Sequence, residues 1–531
     1  MSEANPIGTT TATRPLGVWG QVLPIAMACA WPFVQFLSQN ARETLNWSSV
    51  LVAFAVSLGA FLLVLLCLRV VLRRAPRYGI VNLVLVACVL FFSYNAVSIL
   101  FRDVLEFPKD ELGFVKERSI LIAWFVVLAL LLVLTWLLGR GRATWLFLTT
   151  VVGIGLGLAT INLALGWLAI GGQDRTQAST APTEGSTLLS RPNVYFFIFD
   201  AYARGDALQR LNGFENAAFL SAMGERGFYL ADRSYANYPK TFLSIGSTFN
   251  MDYLVSPGVG TIGPPTSYSL YLSGKNRVVE TFKQQGYRFI LAPRSSISCV
   301  GYEDVCVRGD RSFGLFTMGE TEINLLRMTP LLAVIRKFAP DIVTYEDIFP
   351  EVVKAAILRY VYGPGQSAVR PSFVFYHNLA AHSSQYGNDC DRVSLYVKQL
   401  QSVHDLDEVA SYLKTIECLN EKILDLVDAI LSRDPEAIIV VQSDHGVKFS
   451  DWGDYEAWSG KDLEDRFGVL NLIKLPQQCR TLLYPTISPV NTFRSVLGCL
   501  RGEEPELLDD RSYWVGTHDN DRVELWKVHE K

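Results

Sequence analysis

The feature that most restricts the fold of this chain is a set of five long apolar windows in its first third. Each window runs for roughly 20 residues or more without a charged side chain, which is the length that crosses the hydrocarbon core of a bilayer. Four hydrophobic windows follow the first, so a cleaved signal peptide is a poor interpretation of it. We predict five transmembrane helices, near residues 16–37, 48–72, 79–101, 119–138 and 143–170.

The arginines predict the orientation of these helices. Arg73, Arg74 and Arg77 follow the second window, and Arg140 and Arg142 follow the fourth. Short loops rich in Arg and Lys stay in the cytoplasm. With five spans, we therefore expect a multi-pass membrane protein whose C-terminal part lies outside the cytoplasm.

The composition changes after the last window. Residues 171–192 are rich in Ser, Thr, Gly and Pro, which is typical of a flexible tether. We predict a transmembrane domain over 1–172, a linker over 173–192 and a large extracytoplasmic domain over 193–531. The "GIGLG" run at 153–157 lies inside a window, so it indicates close helix packing rather than a phosphate-binding loop.

The C-terminal part alternates between apolar runs and amphipathic stretches. The runs are continuous rather than alternating, which indicates a mostly parallel sheet covered by helices on both faces, an α/β/α sandwich. Predicted strands lie at 194–199, 287–292, 373–376 and 437–441, and predicted helices include 206–226 and 405–432.

Acidic and imidazole side chains follow three of these strands. The first run ends on Asp200, the third leads into His377 and His382, and the fourth leads into Asp444 and His445. In open α/β sheets, ligands bind beyond the carboxyl ends of the strands. A strand-end aspartate can also cap the next helix, which is the simpler interpretation of Asp200 taken alone.

Carboxylate together with imidazole suits a borderline or hard divalent cation such as Zn²⁺ or Mn²⁺. We predict one metal ion held by Asp200, Asp444 and His445, with Gly446 letting the backbone turn away from it. The fourth ligand should be reactive, and Thr241 is the candidate because it follows Pro239 at a predicted helix start. An ordinary helix cap is the alternative for Thr241. Ser244, one turn later, is the rival hydroxyl.

Five blocks in order resemble the alkaline phosphatase superfamily, in its sulfatase-like branch. The resemblance covers roughly 190–500 and is greatest to membrane-anchored lipoteichoic acid synthases and phosphoethanolamine transferases, which also carry about five spans. The blocks are "PNVYFFIFDAY", "NYPKTFLSIGSTFNMDYL", "FYHNLAAHSSQY", "VVQSDHG" and "LYPTISPVNTFRSVL".

The resemblance assigns roles to individual residues. It implies that Thr241 is a threonine nucleophile and that Asp200, Asp444 and His445 are metal ligands. It also implies that His382 contacts the substrate phosphate. His377 is a second candidate for substrate binding, although it more resembles a residue that supports a metal ligand. Ala381 stands where the family has proline before this histidine, and the C/S-x-P/A-x-R block that sulfatases need for formylglycine is missing at the nucleophile position.

The implied function is metal-dependent transfer of a phospholipid head group, phosphoglycerol or phosphoethanolamine, to an extracytoplasmic glycan or lipid acceptor through a phospho-threonine. The resemblance also implies a protein of the bacterial plasma (inner) membrane whose C-terminal domain lies in the periplasm or outside. A phosphodiester or sulfate-ester hydrolase is the first alternative. A non-catalytic membrane scaffold is an alternative of another class, although the spans contain few ionisable residues. The net charge of −4 predicts no nucleic-acid partner.

Cysteine usage agrees with an extracytoplasmic C-terminal part. Three of the nine cysteines lie in predicted spans and six lie in the C-terminal portion, an even number in a segment expected to face an oxidising space. Cys299 and Cys306, close together in a polar loop, are the pair most expected to form a disulfide.

Overall fold

The structure is a computed structural model of the full chain. It describes residues 16–40, 47–101, 117–177, 187–257, 271–293, 297, 299, 301–308, 316–318, 320–338, 343–345, 348–364, 370–383, 386–387, 389–391, 408–447, 458–515 and 523–530.

The chain forms two compact units. Unit 1 comprises Met1–Ala41, Asn46–Gly171 and Glu322–Val334, and unit 2 comprises Arg42–Leu45, Gly172–Thr321 and Ile335–Lys531. The segment Glu322–Val334 thus belongs with the apolar helices, although the sequence analysis places it with the catalytic domain. Its position depends on long-range packing, which sequence periodicity does not report.

The described residues up to 177 form six helices: α1 (Val18–Gln39), α2 (Trp47–Val71), α3 (Arg77–Phe92), α4 (Tyr94–Ile99), α5 (Glu117–Leu138) and α6 (Arg142–Gln177). Among the described residues, α1, α2, α5 and α6 are long and apolar enough to cross a membrane. Helix α3 has 16 residues, about 24 Å of helix, which is shorter than the roughly 30 Å bilayer core.

The third predicted span is therefore not one continuous helix, because it is interrupted at Ser93. The Ser93 hydroxyl donates a hydrogen bond to the carbonyl of Val89 at 2.6 Å. A serine that bonds back to the preceding turn bends a helix. The short helix α4 then continues the segment to Ile99. The other four predicted spans correspond to α1, α2, α5 and α6, so the structure has four of the five predicted spans among the described residues.

Helix α6 extends beyond its predicted end. It continues through Gln177, so the first five residues of the predicted linker are helical, and 178–186 lie outside the described residues. Within α6, a Cβ atom on Gly155 would lie 2.4 Å from the Trp31 ring. The glycine-rich run therefore allows close packing of α1 on α6, as predicted.

The remaining helices are α7 (Gly205–Arg210), α8 (Ala217–Glu225), α9 (Thr241–Asn250), α10 (Arg277–Gln284), α11 (Glu320–Arg327), α12 (Leu331–Phe338), α13 (Pro350–Tyr360), α14 (Ala380–Ser383), α15 (Glu408–Leu431), α16 (Gly460–Phe467) and α17 (Pro489–Arg501), with a 3₁₀ helix at Gln477–Leu482. The strands are β1 (Val194–Phe199), β2 (Tyr229–Leu230), β3 (Arg288–Ala292), β4 (Val305–Cys306), β5 (Phe316–Met318), β6 (Val343–Tyr345), β7 (Ser372–Asn378), β8 (Ile438–Gln442), β9 (Asn471–Lys474), β10 (Asp510–Val515) and β11 (Val523–His529).

Seven strands of unit 2 form the main sheet, in the order β2-β9-β8-β1-β7-β3-β4. The pairs within β8-β1-β7-β3-β4 are parallel, and β9 runs antiparallel to both β8 and β2. The sheet is therefore mostly parallel, as predicted. Strand β1 lies at its centre.

Both faces of the sheet are covered, because successive side chains of a strand point to opposite faces. On one face Phe197 and Phe199 pack in a core with residues of α13 and α15. On the other, Phe196 and Ile198 pack with residues of α9, α10 and α17. All of these β1 side chains are buried, which explains why the strand reads as a continuous apolar run and confirms the α/β/α sandwich.

One predicted helix of unit 2 differs from the structure. The stretch 206–226 is two helices, α7 and α8, because the chain turns at Asn212 and Gly213, which adopt φ angles of 53° and 69°. Positive φ angles end a right-handed helix. An Asn-Gly pair is a turn signal.

Candidate active site and metal centre

The sheet register brings two acids from distant parts of the chain to the same level. Strands β1 and β8 are parallel neighbours, and Ile198 pairs with Gln442. Asp200 and Asp444 each lie two residues beyond this pair, at the carboxyl edge of the sheet. Asp200 does not cap a helix, because α7 begins later, after Arg204. The simpler interpretation of Asp200 as a helix cap is therefore wrong, because Arg204 is the N-cap residue of α7.

Asp200, Asp444 and His445 form a buried cluster whose ligand atoms all lie within 4.8 Å of one another. His445 Nε2 lies 3.6 Å from Asp200 Oδ1 and 3.3 Å from Asp444 Oδ2. Ligand atoms around a tetrahedral ion with bonds of about 2.0 Å lie about 3.3 Å apart. The cluster therefore has the spacing that a small divalent cation requires.

His445 presents the correct ring nitrogen to this cluster. Its Nδ1 lies 3.0 Å from the carbonyl oxygen of Gly446. A carbonyl can only accept, so Nδ1 carries the proton and Nε2 carries the lone pair. Burial, followed by the positive charge of Arg466, lowers the pKa of His445 well below its usual range. The ring is thus neutral, which is the form that binds a metal.

Asp444 carries a buried oxygen that lacks a hydrogen-bond donor among the described residues. Its Oδ1 accepts bonds from the backbone N–H groups of Ala201 and His445 at 3.1 and 2.9 Å, whereas Oδ2 accepts none. Burial, reinforced by the charge of Asp200, raises the pKa of Asp444 to about 6. A buried carboxylate oxygen without a donor is the group that a cation would satisfy.

Asp200 is the more strongly ionised of the two acids. Burial alone would raise its pKa, but the charge of His382 and the hydrogen bond from His377 hold that pKa well below its usual range. His377 Nε2 lies 3.2 Å from Asp200 Oδ2, and the carboxylate can only accept. His377 is a fully buried residue of β7, a position that favours holding Asp200 in place over contacting a substrate.

Thr241 is the first residue of α9, with Lys240 at the N-cap position. Thr241 is therefore not the N-cap residue of α9. Its Oγ1 lies 3.2 Å from His445 Nε2, which is close to the 3.3 Å between that nitrogen and Asp444 Oδ2. The rival hydroxyl of Ser244 is buried and donates to the backbone carbonyl of Asp444 at 2.6 Å. It therefore braces the loop after β8.

His382 lies on the short helix α14 after β7. Its ring centroid is 6.4 Å from that of His445, and its side chain is exposed. An imidazole at the open side of the cluster can hydrogen-bond a phosphoryl oxygen. All six residues that the sequence analysis singled out, Asp200, Thr241, His377, His382, Asp444 and His445, are thus gathered at one edge of the sheet.

Arg466 is a residue of this site that sequence reasoning missed. This buried guanidinium donates to the Pro239 carbonyl through Nε and Nη2 at 3.1 and 2.6 Å, and to the Gly446 carbonyl through Nη1 at 3.1 Å. It thus joins the turn before Thr241 to the turn after His445. The only sequence signal is an arginine just before the apolar run of β9.

Glycine at position 446 was expected to let the backbone turn away from the metal, but the structure gives a different reason for it. A Cβ atom there would lie 2.0 Å from the Asp465 carbonyl oxygen and 2.6 Å from that of Gly468. The Gly446 N–H also donates to the Arg466 carbonyl at 2.7 Å. Glycine therefore lets the loop after β8 press against the end of α16, rather than keeping the backbone away from a metal.

Comparison with known proteins identifies the family of unit 2. The sulfatase family model matches residues 192–502, close to the 190–500 range of the sequence resemblance. No curated protein sequence matches the chain.

Several solved structures are distantly similar. The integral membrane protein lipooligosaccharide phosphoethanolamine transferase A (EptA) from Neisseria meningitidis is 12% identical, with a TM-score of 0.39 over 92% of this chain and 96% of that one. The C-terminal periplasmic domain of EcEptC from Escherichia coli is 12% identical, with a TM-score of 0.38 over 64% and 94%. A protein in the alkaline phosphatase superfamily from Vibrio parahaemolyticus is 13% identical, with a TM-score of 0.40 over 65% and 83%. Nothing about activity follows from similarities this distant.

The family match spans more than half of the chain, and its range of 192–502 contains all six site residues. On this evidence the chain belongs to the sulfatase family.

Proposed function

We propose that this protein transfers a phospholipid head group, phosphoglycerol or phosphoethanolamine, to an extracytoplasmic glycan or lipid through a covalent intermediate on Thr241. The observation that carries the proposal is the position of the Thr241 hydroxyl. It lies 3.2 Å from His445 Nε2, at the edge of a carboxylate–imidazole cluster, and at the start of α9. A helix start stabilises negative charge on an attacking oxygen and on an incoming phosphate.

The residue type at the nucleophile position argues against sulfatase chemistry. Formylglycine arises from cysteine or serine, and this chain has Lys240 and Thr241 there. Threonine attacks phosphorus directly as an alcohol.

A single divalent ion, Zn²⁺ or Mn²⁺, fits the donor set of Asp200, Asp444, His445 and Thr241. Once bound, such an ion lowers the pKa of the threonine hydroxyl and offsets charge on the phosphate. His377 keeps Asp200 oriented toward that position, and Arg466 keeps Thr241 and His445 at a fixed separation. The protein's own residues therefore preorganise the site.

In the first step Thr241 Oγ1 attacks the phosphorus of the lipid phosphodiester. The new Oγ1–P bond replaces the P–O bond to diacylglycerol, and the proton lost from threonine ends on the diacylglycerol hydroxyl. His382, exposed beside the cluster, hydrogen-bonds the phosphoryl group during the exchange. Thr241 then carries the phosphorylated head group.

In the second step an acceptor hydroxyl attacks the same phosphorus, the Oγ1–P bond breaks, and the acceptor's proton returns to Thr241. A glycan or lipid acceptor makes the protein a transferase, whereas water makes it a phosphodiester hydrolase, the alternative within this class. The apolar helices of unit 1 support the transferase, because they hold the protein in a membrane, where a lipid donor and a lipid-linked acceptor are both concentrated. A non-catalytic scaffold would have no use for the cluster.

Incubation of the purified protein with single lipids of defined head group tests the proposal. Diacylglycerol should be released from phosphatidylglycerol or phosphatidylethanolamine, and mass spectrometry should find the matching head group on Thr241 when no acceptor is present. Lipids with choline head groups are the control. If no phospholipid is consumed in the presence of Zn²⁺ or Mn²⁺, the proposal is wrong.

A further inference from the structure

Unit 1 contains a cavity of about 580 Å³ that the catalytic proposal does not use. It lies at the end of α3 opposite Arg77 and the neighbouring arginines. Cavities of a few hundred cubic ångströms are large enough to bury much of a small organic ligand.

Two residues that disturb helix hydrogen bonding line the cavity. Pro32 lines it from α1, and a proline lacks the N–H that would bond the carbonyl four residues earlier, at Ala28, which also lines it. Ser93, which separates α3 from α4, lines the opposite side. Residues that disturb helix hydrogen bonding therefore lie on both α1 and the α3–α4 junction that border the cavity.

The lining divides into an apolar part and a polar part. Trp31, Phe36 and Phe92 supply aromatic surface, and Phe36 is buried. Gln39 and Asn95 supply amide groups, and both are exposed. A ligand that fits this lining has an apolar body and a polar end, as membrane lipids do.

A segment from later in the chain completes the polar end. Helix α11 contributes Arg327, whose side chain is exposed, and Glu322 of the same helix hydrogen-bonds Ser49 of α2. Ala333, in the next helix, packs among Tyr94 and Trp124 of unit 1. The segment is therefore anchored to the apolar helices on both sides of Arg327.

The charge of Arg327 determines which polar end fits. Within the part of the chain that the structure describes, Arg327 forms no ion pair, and none of the residues lining the cavity is acidic. A guanidinium favours phosphate oxygens as partners because its planar fork matches their geometry. An apolar cavity with one arginine at its mouth therefore complements a phosphodiester that carries acyl chains.

We propose that this cavity binds one glycerophospholipid, with the phosphate at Arg327 and an acyl chain against Trp31, Phe36 and Phe92. The site lies entirely in unit 1, and its occupancy does not depend on Thr241 chemistry. If the proposed transferase activity were not found, the lipid-binding proposal would still hold. If no lipid bound in this cavity, the transferase proposal would still hold.

The test uses the full chain in nanodiscs that contain phosphatidylglycerol with a photoreactive group in its acyl chain. The protein carries Thr241→Ala, so that the readout is labelling and not turnover. Illumination and peptide mapping should place the label on α1 and on the segment around Ala96. Labelling of these peptides should exceed that of the lipid-exposed faces of α2 and α5.

Two variants probe the two ends of the lipid. Ala96→Trp fills the cavity from an exposed position, and Arg327→Gln removes the charge at the mouth. Each should reduce labelling of these peptides about tenfold, the effect expected for a lost charge-assisted hydrogen bond or a blocked chain. Arg142→Gln, which removes an exposed arginine at the start of α6, is the matched control and should change nothing.

Equal labelling of all lipid-exposed helices, unchanged in both variants, would mean ordinary bilayer contact and would overturn the proposal. An excess of soluble glycerophosphoglycerol, which lacks acyl chains, should not compete. If it displaces the lipid fully, the cavity recognises a free phosphodiester and the proposed acyl contact is wrong.

Discussion

The hydroxyl of Thr241 lies 3.2 Å from Nε2 of His445, although the two residues are 204 positions apart. A helix start and a strand end thus deliver an alcohol and an imidazole to one point. Because both elements are fixed by packing on the same sheet, the arrangement does not depend on a mobile loop.

Thr241→Ala should reduce turnover by at least about 10³-fold while leaving metal content and fold intact, because it removes the atom that bonds phosphorus. Thr241→Ser should keep partial activity, since the hydroxyl remains without the methyl group that restricts its rotamer. Ser244→Ala is the control and should still form the adduct. Full activity of Thr241→Ala, or an adduct on Ser244, would contradict the assignment.

Removing a ligand should empty the metal site. Asp444→Ala and His445→Ala each leave too few donors for tight binding, so elemental analysis of the purified variants should find a large loss of metal. His529→Ala provides a comparison, because His529 is a buried imidazole that bonds Ser512 and stacks on Tyr235. Full metal occupancy in both ligand variants would show that the cluster is not the metal site.

Metal affinity should depend on pH through Asp444. Burial, together with the charge of Asp200, raises the pKa of Asp444 to about 6, so protons compete with the cation below that pH. Affinity should be highest above pH 7 and should fall about tenfold for each pH unit below 6. His445 adds little in this range because its pKa is well below the ordinary value. Calorimetric titrations at pH 7.5, 6 and 5 that give one constant affinity would refute this.

Arg466→Lys should lower kcat, on the order of 10²-fold, with metal still bound. Lysine keeps the positive charge but cannot donate to the Pro239 and Gly446 carbonyls in the same fork geometry, so Thr241 and His445 lose their fixed separation. Arg226→Lys, at an exposed pair with Asp428, is the matched control. A folded Arg466→Lys enzyme with normal kcat would rule out this role.

The arginine loops predict the topology. Alkaline phosphatase fused after residue 180 should be active, because that position should lie outside the cytoplasm, and a fluorescent protein inserted at 75 should fluoresce in the cytoplasm. The reverse pattern would place unit 2 on the wrong side for an extracytoplasmic acceptor.

The strands and the residues of the candidate site could be predicted because they depend on local signals. Strand β1 is buried on both faces and therefore reads as an uninterrupted apolar run, and Asp200 stands directly after it. The same logic located Asp444 and His445 after β8. Parallel neighbours then share a carboxyl edge, so the grouping of these residues follows from topology.

The features that sequence reasoning missed depend on contacts between distant segments. Arg466 reaches the site because β9 returns antiparallel to β8, a pairing that apolar periodicity does not report. Arg327 belongs to unit 1, although it follows the predicted tether in the sequence. The break at Ser93 is a single back-bonding hydroxyl in an otherwise unbroken apolar window.

The three disulfides of unit 2 join Cys299 to Cys306, as expected, and also Cys390 to Cys418 and Cys479 to Cys499. Six cysteines allow fifteen pairings, and this one joins each cysteine to its next neighbour along the chain. A chain exported from its N-terminal end would therefore present partners in consecutive order. Oxidation of each pair on emergence gives the native set without reshuffling, so export of this protein should not depend on a disulfide isomerase.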